Sequence, residues 1–103
     1  MAAAPDSSVE AAVANKAVAR RKGKSRVVVI GVVAGETLKA QLKVNRGKRV
    51  IGNSGLRTIN DGKRSLLSII RREAGRGPAS VTVTLRDEAG NTKTVSRRVR
   101  IPR

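Results

Sequence analysis

From Thr37 to Val44 apolar and polar residues alternate one for one: Leu38, Ala40, Leu42 and Val44 share one side, and Thr37, Lys39, Gln41 and Lys43 the other. A period of two is that of a β-strand with one face in a core and one in water. The same period recurs in Ala79-Ser80-Val81-Thr82-Val83-Thr84-Leu85-Arg86, where the valines and Leu85 point inward and the threonines outward. Asp87 to Asn91 then reads as a turn, and Val95, Val99 and Ile101 line one side of a return strand. Arg97 interrupts that inward series, so either its aliphatic stem snorkels at a sheet edge or the Arg97-Arg98 pair marks a bulge.

Between these segments the strands are shorter and the turn signals denser. Arg26-Val27-Val28-Val29-Ile30 opens a strand that continues through Gly31 to Val33, and Gly35-Glu36 turns it. Asn45-Arg46-Gly47 is a tight turn before a strand over 48–51, and Gly52-Asn53-Ser54-Gly55 separates this from a strand over 56–59. Asn60-Asp61-Gly62 supplies the positive φ that a tight reversal needs. The run Leu66-Leu67-Ser68-Ile69-Ile70 fits a strand or a short helix, and its turn-like flanks favour the strand, with Leu66 and Ile69 as core positions. Pro78 cannot donate to a ladder, which predicts that the next strand begins just beyond it.

Residues 1–25 follow another pattern. The segment is Ala-rich, Ser7 and Glu10 have capping-box spacing, and Lys16, Arg20, Arg21 and Lys22 fall toward its end. These signals predict a marginal helix over about 8–21, although Val9 and Val13 fall on one side and Val18 nearly opposite, so no broad apolar stripe forms. The resulting division is a basic N-terminal arm over 1–25, partly helical, and an all-β body over 26–103, a small antiparallel β-sandwich.

Composition narrows the chemistry. The chain of 103 residues has 23 Lys and Arg against 7 Asp and Glu, a net charge of +16, and no Phe, Tyr, Trp, His or Cys. Its core must therefore be aliphatic, and disulfides, thiol nucleophiles, thiolate or imidazole metal ligands and a histidine proton shuttle are all excluded. No carboxylate pair suggests acid-base work, and Gly47-Lys48 and Gly62-Lys63 lack the rest of a phosphate-binding loop. Asp87, Glu88 and Asn91 are better suited to bonding local amides than to holding a cation. Neither a catalytic site nor a cofactor is predicted. The Ala-rich start does not have the charge order of a signal peptide, and no apolar run is long enough to span a membrane.

Val81 to Thr92 with Val95 to Ile101 resembles the closing hairpin of bacterial and phage immunoglobulin-like, fibronectin-type-III-like modules, in which a Val/Thr strand ends in Asp-x-x-Gly-Asn and returns along a last strand. The resemblance implies an immunoglobulin-like sandwich used for adhesion, spacing or structural display. Similar modules occur on virions as capsid decoration or tail accessory domains. The chain departs from the pattern in lacking a core aromatic, in its Arg content and in its basic arm.

A strongly basic surface seeks acidic protein or polyanions. Arg20, Arg21, Lys22, Lys24 and Arg26 in the arm, with Arg97, Arg98 and Arg100 in the last strand, are the expected contacts for a partner or for phosphate. The expected role is that of a virion accessory protein, oligomeric in context, which binds coat subunits through its arm and a sheet edge. A sequence-nonspecific nucleic-acid-binding protein, cytoplasmic in location, and a secreted adhesion or spacer module are the alternatives. Without aromatics there is no stacking platform, so any nucleic-acid contact is electrostatic.

Overall fold

The computed structural model describes residues 9–103, which fold as two antiparallel sheets packed around one aliphatic core. Nine strand segments make them: β1 (Ala11–Val13), β2 (Val18–Lys22), β3 (Ser25–Ala34), β4 (Leu38–Arg46), β5 (Arg49–Asn53), β6 (Arg57–Ile59), β7 (Gly62–Ile69), β8 (Gly77–Asp87) and β9 (Thr92–Ile101). In the first sheet β3 is central: β7 pairs along one side of it, while β1 and then β2 pair along the other. In the second sheet β6 and β5 share one side of β4, β8 takes the other, and β9 closes the sheet beyond β8. The all-β sandwich expected from the alternating pattern is the fold of the molecule.

Alternation places the core. Leu38, Ala40, Leu42 and Val44 of β4 face Val28, Ile30 and Val32 of β3 across the interior, and Ala79, Val81, Val83 and Leu85 of β8 extend it. Each such aliphatic burial stabilises the fold by roughly 1.5–3 kcal/mol. The strand reading of 66–70 holds over β7, and a one-turn 3-10 helix, Arg72–Ala74, follows it. Only Leu66 of the two expected core positions lies inside; Ile69 is 61% exposed, because it has the outward parity of β7.

Three further expectations are corrected. The helix over about 8–21 does not form in the described residues: 11–13 and 18–22 are strands, while Ser7 lies outside the described residues. Without an apolar stripe a helix there would bury little, whereas the free side of β3 offers a ladder and lets Val9, Ala11, Val13, Ala17 and Ala19 reach the core. Position 25 consequently falls at the end of the β2–β3 hairpin, and residues 11–22 are part of the sandwich. Pro78 lies one residue inside β8 instead of before it. Its register partner is Arg100 on β9, while the β4 ladder stops at Ser80, so the missing N–H faces no β4 partner.

Arg97 snorkels. The β8–β9 register runs without a shift from Gly77↔Ile101 to Arg86↔Thr92, so there is no bulge. The Arg97 Nε donates to the Ala14 carbonyl at 3.0 Å and Lys93 Nζ to the Ala11 carbonyl at 3.1 Å, tying β9 to the interrupted strand β1–β2 along one open side of the sandwich. On the other side β5 leans onto the end of β7: Gly52 bridges Ile70, and Arg71 N–H donates to the Ile51 carbonyl at 2.8 Å.

Candidate binding surfaces

Up-and-down connectivity sorts the loops between two ends. The β2–β3 turn, the β4–β5 turn, the 70–76 loop and the C-terminus share one end; the β3–β4, β6–β7 and β8–β9 turns share the other. Charge follows this division. Glu10, Glu36, Asp61, Asp87 and Glu88 lie at the second end, and Glu73 is the only acidic residue of the described chain at the first. The first end is a basic pole.

At that pole a hollow of about 650 Å³ is lined by Arg21, Lys24, Arg26, Arg71, Arg72 and Arg103, among others. Arg26 is its keystone: its Nη2 donates to the carbonyls of Arg71 at 3.2 Å and Arg72 at 3.3 Å, and its Nη1 to that of Pro102 at 3.3 Å. These bonds hold the 70–76 loop and the C-terminus against the start of β3. Arg46 acts on the same loop from β4, donating to the carbonyls of Ala74, Gly75, Gly77 and Pro78. Arginine takes carbonyl partners here because carboxylates are scarce; the one ion pair among the described residues, Arg71–Glu73 at 3.9 Å, is solvent-exposed and worth little.

The eight residues singled out in the sequence therefore do not make one patch. Arg21, Lys24 and Arg26 reach the pole, and Arg100 lines a neighbouring hollow at the same end. Arg20 and Lys22 have the outward parity of β2, as do Arg98 and Arg100 on β9 of the opposite sheet. Arg97 is committed to Ala14. From sequence Arg71, Arg72 and Arg103 add to the general basic field around the Arg20–Arg26 cluster without being set beside Arg21; the signal for that is the count of reversals, which brings residues 24, 72 and 103 to the same end.

A second surface was also missed. On the outer side of the first sheet, Val18, Val29 and Leu67 form one cross-strand row, and Arg20, Val27 and Ile69 the next. Val18 is 55% and Val33 46% exposed, in addition to Ile69. Beside the rows a depression of about 430 Å³ opens over Gly31 and Ser65, lined also by Ala12, Val33 and Lys63. Arg20, Lys22 and Lys63 border this aliphatic face. The outer side of the second sheet is quite different, a lattice of Thr82, Thr84, Thr94 and Ser96 with Lys39, Lys43 and Arg86.

Polar groups at the acidic end serve the turn. The Asp87 carboxylate accepts from the Asn91 side-chain amide at 3.0 Å and from its backbone N–H at 2.8 Å, and the Asn91 side chain is the chief cause that holds the Asp87 pKa below its ordinary value. Among the described residues no group of three or more carboxylates is placed to hold a metal, and no helix is long and apolar enough to cross a membrane. No family model matches the chain, and no curated protein matches it either.

Proposed function

We propose that this chain is a non-catalytic structural module of a multisubunit assembly, and that it docks on a partner protein through the outer face of its β1/β2–β3–β7 sheet. One observation carries this reading: an antiparallel sheet whose outer side should be polar instead presents Val18, Val33 and Ile69 exposed, with Val29 and Leu67 half-buried among them. Exposed aliphatic side chains grouped on one face are stabilised by being covered, and a protein surface can cover them where nucleic acid has no aromatic platform to stack on.

The bordering cations select the occupant. In a two-fold pairing of this face with a second copy, Arg20, Lys22 and Lys63 would be set against their own kind, and each chain carries +16. A partner with an aliphatic centre and a carboxylate rim fits instead. The arm takes part as strand β2, which supplies Val18, Arg20 and Lys22 to the face, and not as a tether reaching away from the body. The setting on a virion, as capsid decoration or tail accessory, rests on the resemblance of the Val81–Ile101 hairpin to immunoglobulin-like modules found there.

Fractionation of the native source tests the proposal. The protein is expected to sediment with a large protein assembly and to remain there after nuclease digestion. Recovery as a free monomer, or release by nuclease, would overturn it.

A further inference from the structure

We propose that the basic pole is a second, independent binding site, one for the phosphodiester backbone of nucleic acid, read without regard to sequence. The inference does not rest on the docking face, which occupies the broad side of the sandwich and meets the pole only at Ile69.

Three separate stretches of chain bring cations to one concave surface. Arg21 and Lys24 come from the end of β2 and the hairpin turn after it, Arg71 and Arg72 from the loop after β7, and Arg103 from the C-terminus. A neighbouring hollow adds Arg76 and Arg100 and shares Arg103. Solvated charge that merely keeps a protein soluble has no reason to converge on a hollow from segments this far apart in sequence. Like charges gathered in that way repel one another, and the fold tolerates them without neutralising them: among the described residues Arg21, Lys24, Arg72 and Arg103 have no carboxylate or carbonyl partner. Counter-charge from outside relieves this cost.

The scaffold beneath them is fixed from the protein side. Arg26 and Arg46 spend their guanidinium donors on the carbonyls of Arg71, Arg72, Ala74, Gly75, Gly77 and Pro78, so the loop carrying Arg71 and Arg72 is braced before any ligand arrives. Two arginines work on structure and leave the others available. Guanidinium groups, which predominate here, pair with phosphate oxygens through two parallel N–H donors. With the carboxylates Glu10, Glu36, Asp61, Asp87 and Glu88 at the far end, the molecule is dipolar and turns its basic pole toward a polyanion. Phosphodiester is favoured over an acidic polypeptide because five cations with free donors, four of them guanidinium groups, converge on the hollow, beside Ile69 and Ile70 at its wall.

The test uses the purified full-length protein and an arbitrary 20-base-pair duplex, with binding measured across salt. Engagement of roughly five phosphates gives a slope of about −4.5 in log affinity against log salt. The triple variant Arg21→Gln, Arg72→Gln, Arg103→Gln is expected to reduce the magnitude of that slope by about 2.7, since each lost cation removes about 0.9. The charge-matched triple variant Lys39→Gln, Lys43→Gln, Arg86→Gln, on the outer side of the other sheet, is expected to keep the wild-type slope. Unchanged far-UV circular dichroism verifies that both variants are folded. Equal losses in the two variants would mean that bulk charge, not a site, binds the duplex, and would overturn the proposal. So would absence of duplex binding by the wild type, or competition by polyglutamate as effective as by duplex of equal charge.

Discussion

Gly31 and Gly52 lie in strands of opposite sheets, and the same substitution at each is expected to act with opposite sign. A Cβ on Gly52 would lie 2.5 Å from Ser68 Oγ, 3.0 Å from Ile70 Cδ1 and 3.3 Å from the Ile69 carbonyl. Ser68 and Ile70 are 1% and 4% exposed, so neither can swing into solvent. Overpacking of this kind costs about 1–3 kcal/mol, and the reduced freedom of the unfolded chain returns about 0.4–1 kcal/mol. Gly52→Ala should thus destabilise by about 1–2 kcal/mol, a fall in Tm of roughly 4–16 °C for a domain of this size. At Gly31 the nearest atom to a new Cβ is that of Ala14 at 3.9 Å, an ordinary contact, and Gly31→Ala should stabilise by about 0.5–1 kcal/mol. Thermal unfolding followed by circular dichroism measures both. The double variant Gly52→Ala, Ser68→Ala should recover part of the loss, because the closest atom has been removed. A neutral or stabilising Gly52→Ala would refute the packing of β5 on the end of β7, and with it the closed side of the sandwich.

Arg46→Met should lower stability by about 2 kcal/mol and expose the 71–76 loop to trypsin, as the guanidinium bonds to its carbonyls are charge-assisted; Arg46→Lys should not rescue, since one ammonium cannot reach the same set. An unchanged cleavage rate in Arg46→Met would show that the loop is held by something else. For Asp87, whose folded pKa is depressed by the Asn91 hydrogen bonds, the stabilising contribution is complete above the unfolded value of about 3.9 and is lost as pH falls through the lower folded value. Denaturant titrations should accordingly show a loss of stability below about pH 4 that is smaller in Asp87→Asn, and parallel pH profiles for the two proteins would contradict the assignment.

Where one parity was apolar and the other polar, as in Thr37–Val44 and Ala79–Arg86, pattern alone located strand, face and core. The Val27–Val33 run was legible as a strand but not as two faces, because both parities are aliphatic. Such a run in an antiparallel sheet puts aliphatic side chains on the outer side as well as in the core. The arm misled for a related reason. Alanine favours helix in isolation, and the pairing that overrides it depends on the free side of β3, which no local window contains. Its odd-numbered series Val9, Ala11, Val13, Ala17, Ala19 nevertheless has the period of a strand. The basic pole needed the order of reversals along the whole chain, since Arg21, Arg72 and Arg103 are remote in sequence and meet only through topology.

The docking claim is tested most directly by comparing incorporation of two variants into the sedimenting assembly of the native source. Val18→Glu with Val33→Glu alters the aliphatic face at positions already exposed and outside the basic hollow, so the fold should survive, while carboxylates are set against an acidic rim. Leu56→Glu alters an equally exposed position, 62% accessible, in the connection that leads into β6 of the opposite sheet. The face variant is expected to remain in the soluble fraction and the Leu56 variant to sediment as the wild type does. Equal incorporation of the two would contradict docking through the β1/β2–β3–β7 face.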